Sequence, residues 1–518
     1  MPPFHRPIRL QAPPAGPGRQ ERVRPAQTVK RPGERGVAKG VGGFYDRPLM
    51  SCTPEVITVA AGQIRARLMN EASATLADIE AAIGQAGQRR ADVLVLPECA
   101  YPAYLLGSAE SYRAGDHLSS EGYVTWLREQ AARHRLHIVS GFVEDTGRTL
   151  HNSAVLVDDR GQEVGRSRKQ FLWNADHDWY TAGDAICVFD TAIGRIGIAI
   201  CAETRVPEIL ATLAAGGAEL IAVPTCWINQ AREPGRYANP QVEFMMEARA
   251  REFGVPFVCA DKWGLDFGAV GYVGQSRILR ADGSVAAEAP ACGDAVIAAR
   301  IVRRRPPQVR VDERRRRLFS SEPPGLAPVA SPRPVKVAAV PSVVADERFR
   351  GGTGEELFKP LQDQGVTVLL SNVTDESVAE RLAILARAFD IHAVGFPRRA
   401  DVFALGPARA GCVAGQAVHS FAPARALALE GAELLLYFGV LEDLTTLRTR
   451  AAENRVFLMG ANQRSALIIG PDGQVLARTQ GEPPAVAVAV IDLTEAANKL
   501  VAPRTDIFQE RRVGAYRF

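Results

Sequence analysis

A cysteine lies where a buried strand gives way to a helical segment, and this position suits a nucleophile. Residues 194–200 form a continuous apolar run rich in isoleucine, which predicts a buried strand. Cys201 follows it directly, and a helical pattern begins at about Pro207. At such a junction the sulfur lies near unpartnered backbone N–H groups, whose positive potential stabilises the reactive thiolate. Because most free cysteines are core residues, a chemical role for Cys201 requires partners.

Two other residues could supply those partners. Glu98 ends the buried strand predicted at residues 91–98, where a carboxylate is costly unless it is paired or chemically employed. Lys169 follows a segment with a glycine turn, in the stretch Arg168-Lys-Gln-Phe-Leu172. Taken singly, each residue has an ordinary interpretation as a solvated surface charge.

Together the three side chains could catalyse acyl transfer. A free cysteine has a pKa of about 8.5 and is mostly protonated near neutral pH, so Glu98 would take the thiol proton. The thiolate would attack a carbonyl or nitrile carbon, while Lys169 and the backbone N–H of Ala202 stabilise the oxyanion. Glu98 would then protonate the leaving amine and activate water, so that a thioester on Cys201 is the predicted intermediate.

The elements that must position these residues alternate between strands and helices, which predicts an α/β fold with helices covering the sheets. In the N-terminal half of the chain, strands are predicted at 55–61, 91–98, 137–144, 152–157, 194–200, 219–225, 256–260 and 275–279. Helices are predicted at about 72–89, 124–135, 207–215 and 242–253.

Length and composition set the broad class of protein. A chain of 518 residues is too long for one ordinary core, and residues 1–50, rich in Pro, Arg and Gly, predict a disordered tail. The net charge of +4 gives no reason to expect a nucleic-acid partner, and no apolar run is long enough to span a membrane. The eight scattered cysteines favour a reducing, cytoplasmic location. Since no His/Cys cluster has ligand spacing, we expect no metal and no cofactor.

The second half of the chain repeats the first. We therefore predict a first copy at 51–319, a linker rich in Pro and Ser at 320–334, and a second copy at 335–518. The matched segments are 56–61 with 335–340, 91–98 with 365–372, 217–220 with the identical 431–434, and 281–285 with 471–475.

The second copy lacks all three candidate catalytic residues. With the identical segments aligned, Cys201 falls opposite Gly415, and with the second strands aligned, Glu98 falls opposite Asn372. The stretch that bears Lys169 has no counterpart. Joint loss of the three from a persistent scaffold indicates a shared chemical role, and it marks the second copy as degenerate.

The three candidate residues lie in the motifs Leu96-Pro-Glu98, Arg168-Lys169 and Cys201-Ala-Glu-Thr-Arg-Val-Pro-Glu208. In their residues, order and spacing, these motifs resemble those of the nitrilase superfamily of carbon–nitrogen hydrolases. The resemblance covers residues 55–319 and implies an αββα sandwich, here in two tandem copies.

The resemblance also implies roles and partners. It makes Glu98 the general base and acid, Lys169 the oxyanion-stabilising cation and Cys201 the nucleophile. Family members pair through the helix that bears the nucleophile, so the second copy could replace a second subunit in an intrachain pseudo-dimer. The resemblance also allows further homo-oligomers built from such dimers.

Departures from the family pattern bear on the substrate. Ala202 stands where tyrosine or tryptophan is frequent, which favours an amide over a nitrile. Arg205 resembles the arginine of the ω-amidase-like branch that is associated with a substrate carboxylate. An ion pair of Arg205 with Glu203 or Glu208 explains it equally well from the sequence alone.

Four further residues are predicted to surround the substrate. Many family members place a second glutamate seven residues before the glycine that follows the lysine, and counting back from Gly183 gives Asp176. Trp173, Cys226 and Trp227 are expected to line the pocket, although aromatic side chains are as often core.

The sequence thus predicts a thiol amidase that releases ammonia or an amine from a small linear amide. A nitrilase or N-carbamoyl-amide hydrolase is the alternative enzyme, because the same three residues could serve either reaction. A pseudoenzyme or assembly scaffold is the alternative without catalysis.

Overall fold

The computed structural model describes ten segments of the chain, all within residues 55–517. The predicted disordered tail and most of the predicted linker lie outside the described residues. No helix within the described segments is both long enough and apolar enough to cross a bilayer. The segments are 55–231, 236–266, 268–307, 311–321, 331–342, 344–345, 355–373, 376–395, 401–479 and 485–517.

The first copy contains two sheets. Its strands are β1 Val56–Arg65, β2 Val93–Val95, β3 His137–Asp145, β4 Leu150–Val157, β5 Glu163–Arg168, β6 Val188–Thr191, β7 Gly194–Ile198, β8 Leu220–Pro224, β9 Phe257–Ala260, β10 Lys262–Asp266, β11 Val270–Val273, β12 Arg277–Leu279, β13 Val285–Glu288 and β14 Ala295–Val302. The larger sheet has the order β11-β10-β1-β2-β3-β4-β5, with β14 also paired to β1. The smaller sheet has the order β13-β12-β9-β8-β7-β6.

Helices cover both sheets of the first copy. They are α1 Ala72–Gln88, α2 Ala109–Arg113, α3 Ser120–His134, α4 Asp176–Trp179, α5 Pro207–Ala215, α6 Met246–Phe253 and α7 Glu313–Phe319. The third helix begins four residues before the start that we predict, because the Ser119 side chain accepts a hydrogen bond from Gly122 N and caps it.

Alternation along the strands produces the layers. In β1, Ile57 and Val59 face a core shared with the smaller sheet, whereas Ala60 and Ile64 face the core under α1 and α3. Side chains of α5 and α6 belong to the core on the far side of the smaller sheet. The order of layers is therefore helix, sheet, sheet, helix, which confirms the predicted αββα sandwich.

The second copy has strands and helices in the same chain order. Its strands are β15 Pro334–Val340, β16 Val368–Ser371, β17 His392–Val394, β18 Phe403–Leu405, β19 Ala408–Ala414, β20 Leu434–Phe438, β21 Phe457–Ala461, β22 Ala466–Ile469, β23 Val475–Thr479, β24 Ala487–Asp492, β25 Leu500–Ala502 and β26 Thr505–Asp506. Its helices are α8 Glu355–Asp363, α9 Glu376–Ala388, α10 Phe421–Leu429, α11 Leu444–Asn454 and α12 Leu493–Ala497.

One sheet persists between the copies and the other has shrunk. The sheet β18-β19-β20-β21-β22-β23 repeats β6-β7-β8-β9-β12-β13 in order and in strand direction. The sheet β17-β16-β15-β24 keeps the counterparts of β3, β2, β1 and β14. Only residues 395–402 separate β17 from β18, whereas residues 146–187 separate their counterparts β3 and β6. Residues 396–400 lie outside the described segments, and the loss of the stretch bearing Lys169 stays a prediction.

Strand register corrects two predicted correspondences by one residue. Val59 pairs with Val93 in the first copy and Val337 with Val368 in the second, and each pair belongs to the core between the sheets of its own copy. With Val59 opposite Val337, residues 56–61 match 334–339 rather than 335–340, and the residue opposite Glu98 is Val373 rather than Asn372. Sequence matching alone could not fix this register, because both strands are continuous apolar runs. The second copy lacks the carboxylate in either alignment.

Buried ion pairs join the two copies. Glu208, at the start of α5, accepts hydrogen bonds from Arg425 at 2.8 Å and from Arg511 at 3.2 Å, and all three side chains are fully buried. Arg249 of α6 pairs with Glu453 of α11 at 2.6 Å. A single apolar core contains side chains of α5 and α6 together with those of α10 and α11. The helix that follows Cys201 therefore packs against the second copy.

The ion pairs at Glu208 predict a large loss of stability when the carboxylate is removed. Burial tends to raise the pKa of Glu208, but Arg425 and Arg511 outweigh it and hold that pKa below its usual value. Glu208→Gln should lower the free energy of unfolding by about 3 kcal/mol, because two arginines keep their burial without a counter-ion. The decrease is measured as a shift in thermal unfolding.

The exposed pair between Arg195 and Asp190 provides the matched control, since Asp190→Asn should cost less than about 1 kcal/mol. Because the pKa of Glu208 is lowered in the folded state, its stabilisation is present above its usual pKa of 4.5 and is lost as the pH falls below that value. The curves of wild type and Glu208→Gln should therefore converge in acid. Equal shifts from both substitutions at neutral pH would contradict the prediction.

Candidate active site

The backbone at Cys201 has a strained conformation that the second copy shares. Cys201 has a φ of 49° and its counterpart Gly415 has a φ of 51°. A short 3₁₀ turn follows each residue, at Cys201–Arg205 and at Gly415–His419. Glycine adopts this left-handed region without penalty, whereas a cysteine is held there only by its surroundings. The turn is thus common to both copies, and only the first copy carries a thiol on it.

Glu98, Lys169 and Asp176 form a buried cluster. The Lys169 Nζ donates to Glu98 Oε1 at 2.6 Å and to Asp176 Oδ2 at 2.7 Å, and all three side chains are completely buried. Asn152 Nδ2 donates to the same Glu98 oxygen at 2.7 Å. The other oxygen, Glu98 Oε2, is buried and has no hydrogen-bond partner among the described residues. One oxygen of Glu98 is therefore held in place while the other is free to accept a proton.

The thiol of Cys201 lies in the electrostatic field of this cluster. Burial raises the pKa of Cys201 well above its usual value, and the carboxylate of Glu98 raises it further. Lys169, the Thr225 hydroxyl and the Cys226 backbone N–H act in the opposite direction without overcoming burial. The positive potential that we predict at this junction is therefore present but does not dominate. The resting thiol stays protonated and needs a base to become nucleophilic.

Lys169 keeps its charge in spite of its burial. Burial alone would lower the pKa of Lys169, but Asp176, Glu98 and Cys201 together raise it well above its usual value. An ammonium group held between two carboxylates has a fixed position and a fixed charge. Such a cation can stabilise a negative charge that develops beside it during a reaction.

Asp176 contacts the lysine. We predict it from the sequence as a substrate-binding residue, and the structure places its Oδ2 atom on Lys169 Nζ and on the backbone N–H of Trp173, at 2.7 and 2.9 Å. The turn that begins helix α4 presents it there. Its position explains why a carboxylate occurs at this spacing after the lysine.

Glu203 ties the two catalytic segments together, a function that the sequence did not indicate. Its carboxylate accepts hydrogen bonds from the backbone N–H of Gln170 at 2.7 Å and of Ile200 at 2.6 Å. These two residues are direct chain neighbours of Lys169 and Cys201. Burial raises the pKa of Glu203 to about 7 in spite of both hydrogen bonds. The sequence places Glu203 only two residues after Cys201, and this nearness does not indicate which groups its carboxylate binds.

Arg205 lacks a carboxylate partner among the described residues. Glu203 binds backbone N–H groups and Glu208 binds Arg425, so neither of the two ion pairs open from the sequence is formed. Burial lowers the pKa of Arg205 to about 10. Its Nε donates to Gln241 Oε1 at 2.9 Å and its guanidinium lies 5.0 Å from the centre of the Trp173 ring. Its Nη2 is buried and has no hydrogen-bond partner within the described segments.

The other predicted site residues are buried, and each has different contacts. Ala202 follows Cys201 within the 3₁₀ turn and is buried. Cys226 directs its Sγ to Glu98 O at 3.2 Å and its backbone N–H towards Cys201. Trp227 is fully buried, and its backbone N–H donates to Asp261 at 2.8 Å.

Gln241 is a further residue that sequence reasoning missed. Its Nε2 donates to Cys201 O at 2.9 Å and to Thr204 Oγ1 at 2.7 Å, while its Oε1 accepts from Arg205. It begins a π-helical turn at Gln241–Met245, a rare geometry that recurs at functional sites. Nothing in the local sequence pattern distinguishes this glutamine from a surface residue.

Within the described part of the chain, no group of His, Cys, Asp or Glu side chains is placed to hold a metal ion.

Comparison with known proteins identifies the family of the chain. The family model of the carbon–nitrogen hydrolases matches residues 58–310 and 396–498, so the chain belongs to that family, and the match falls in both copies. A probable nitrilase of Schizosaccharomyces pombe is 27% identical over 198 residues, which are 38% of this chain and 69% of that protein. A nitrilase of Pyrococcus abyssi is 29% identical over 225 residues, 43% of this chain and 81% of that protein.

Two solved amidase structures match part of the chain. An amidase of Nesterenkonia from the nitrilase superfamily has 20% sequence identity and a TM-score of 0.42, covering 48% of this chain and 92% of that one. A variant of the Nesterenkonia amidase in complex with butyramide has 19% identity and the same TM-score, covering 49% of this chain and 94% of the other.

Proposed function

We propose that the first copy hydrolyses the non-peptide C–N bond of a small linear amide through a thioester on Cys201, and that it releases ammonia or an amine. One observation carries the proposal. The thiol of Cys201 lies in the field of a buried carboxylate with one free oxygen, and that carboxylate is bound to a buried ammonium group. The three groups supply a nucleophile, its base and an electrostatic stabiliser.

The reaction divides into two halves that share the same groups. Glu98 takes the proton from Cys201 Sγ, the sulfur bonds to the amide carbon, and Lys169 with the Ala202 backbone N–H stabilises the oxyanion. As the C–N bond breaks, Glu98 gives its proton to the departing nitrogen and the thioester forms. Glu98 then takes a proton from water, whose oxygen attacks the thioester carbon. The C–S bond breaks, Glu98 returns its proton to the departing sulfur, the carboxylic acid leaves and the thiol is restored.

Two other reactions compete with this proposal. The same residues could attack a nitrile carbon or a carbamoyl group, and the two curated relatives described above are a nitrilase and a probable nitrilase. Ala202, in place of the larger residue frequent in the family, supports the amide. Hydrolysis of a carbamoyl substrate releases carbon dioxide with ammonia, so product analysis separates it from amide hydrolysis. A catalytically inactive scaffold is the remaining alternative.

The proposal predicts a covalent intermediate at one residue. Wild-type protein mixed with a panel of small amides and nitriles should gain the mass of an acyl group and release ammonia. Cys201→Ala should do neither, because the attacking sulfur is absent. Intact mass spectrometry and ammonia detection measure both effects. Equal turnover by the two proteins would exclude Cys201 as the nucleophile.

We also propose that the amide substrate carries a carboxylate, which Arg205 binds. The supporting observation is a buried guanidinium without a carboxylate partner among the described residues and with a free Nη2. Because Gln241 already occupies the Nε, the carboxylate would bind at the Nη atoms. The ring of Trp173 would fix the plane of the guanidinium.

Arg205→Met tests this specificity with two matched probes, succinamate and the neutral butyramide. We expect kcat/KM for succinamate to fall by about 10- to 100-fold, as for the loss of a charge-assisted hydrogen bond, and kcat/KM for butyramide to change little. The exposed Arg195→Met is the control for loss of charge alone. If both probes lose activity equally, Arg205 supports the Cys201 segment instead of binding substrate.

We further propose that the second copy occupies the place of a second subunit. The support is the buried contact between α5 and α6 of the first copy and α10 and α11 of the second. A fragment of residues 51–320 would expose this apolar surface and leave the Glu208 carboxylate without its two arginine partners. We expect the fragment to aggregate or self-associate, as measured by size exclusion with light scattering. A soluble, active monomer of residues 51–320 would contradict the proposal.

A further inference from the structure

A hairpin of the second copy contacts the segment of the first copy that carries the catalytic lysine. We call residues 169–180 the lysine loop, and residues 500–506, which include β25 and β26, the C-terminal hairpin. The hydroxyl of Thr505 in the hairpin accepts a hydrogen bond from Asn174 N at 2.7 Å. Arg504 beside it donates to Asn174 O at 2.8 Å and to Asp178 Oδ1 at 2.7 Å. Both the N–H and the C=O of Asn174 are thus bound by the second copy.

Asn174 is the residue of the lysine loop whose backbone conformation depends on such contacts. Its φ is 40°, a conformation that a residue other than glycine keeps only when its surroundings fix it. The preceding residue, Trp173, donates its backbone N–H to Asp176 Oδ2 and accepts from Asp176 N at 2.8 Å. Asp176 in turn binds Lys169 Nζ. A movement of Asn174 would therefore be transmitted to the lysine through two consecutive hydrogen bonds.

The hairpin is itself anchored in the core between the copies. Directly after it, Ile507 donates its backbone N–H to Lys499 O at 3.0 Å, and the ring of Phe508 lies 4.7 Å from the guanidinium carbon of Arg425. Arg425 is the residue that binds Glu208 at the start of α5. The second copy thus contacts the first on both sides of the site, at the helix after Cys201 and at the lysine loop.

Of the two hairpin residues, Thr505 contributes more than Arg504 to holding Asn174 in its conformation. Thr505 is fully buried, whereas Arg504 and Asp178 are each about half exposed. An exposed ion pair contributes little, because solvent and salt screen it. The loss of a buried acceptor leaves the Asn174 N–H unsatisfied, which costs considerably more.

We propose that Thr505 of the degenerate copy is a positioning residue for the active site of the first copy, acting through Asn174 and Asp176 on Lys169. The second copy has lost its own catalytic residues and in this way completes the site of its neighbour. The effect on turnover rests on the function proposed above, but the effect on the reactivity of Cys201 does not. The two can therefore be tested separately.

The test uses three variants of the full chain. Thr505→Val removes the hydroxyl at nearly constant volume, and Thr505→Ser restores it. Thr494→Val is the matched control, because the Thr494 hydroxyl bonds at 2.8 Å to Asp492 within the second copy. For each protein we would measure kcat, KM, the thermal unfolding midpoint and the rate at which iodoacetamide alkylates Cys201. Alkylation of the exposed Cys292 provides the internal reference.

We expect Thr505→Val to lower kcat by about tenfold with little change in KM, since a small displacement of a catalytic group acts mainly on the transition state. Alkylation of Cys201 at neutral pH should also slow, because a displaced Lys169 no longer lowers the pKa of the thiol. Thr505→Ser should recover both rates, and Thr494→Val should change neither.

The opposite results overturn the proposal. If Thr505→Val and Thr494→Val lower the unfolding midpoint alike and leave both rates unchanged, the contact is only structural. If Thr505→Ser is as slow as Thr505→Val, the hydroxyl is not the active group. Alkylation separates this failure from that of the proposed function. A wild type without amidase activity, in which alkylation still depends on Thr505, would leave the positioning role intact and remove the proposed reaction.

Discussion

The buried ammonium of Lys169, held between Glu98 and Asp176, is the constraint on which the rest of the site depends. Three ionised groups without exposure to solvent are costly, and the cost is offset only when their geometry is fixed by further hydrogen bonds. Asn152 supplies one of these at Glu98, and the backbone N–H of Trp173 supplies another at Asp176. The two sheets, which bury the cluster, are therefore as necessary to the chemistry as the charged residues.

The role that we propose for the second copy follows from this constraint. The second copy keeps the sheet with the strained turn at Gly415, and it keeps the helices that pack on α5 and α6. The helices that contact the first copy are thus among the elements that persist. Conservation of scaffold without catalytic residues is expected when a domain contributes packing and hydrogen bonds to its neighbour, since such contributions need no reactive side chains.

Much of this arrangement could be predicted from residue patterns. Apolar runs located the strands before Glu98 and Cys201, and the repeated Gly-Ala-Glu-Leu segment revealed the two copies and the missing nucleophile in the second. The one-residue error opposite Glu98 arose because an apolar run carries no register. The sequence could not identify the partner of Arg205 either. Glu203 and Glu208 are both near Arg205 in the chain, but both bind other groups.

The sequence by itself determined the α/β class and the tandem copies, and it singled out the three candidate catalytic residues, because periodicity and internal repetition can be read from the order of residues alone. Only the tertiary structure decided which groups meet. Lys169 bonds to a carboxylate 71 positions away, Arg425 to one 217 positions away, and Asn174 to a hydroxyl 331 positions away. Such contacts follow from how whole layers pack, and no local pattern encodes the distance between atoms on different layers.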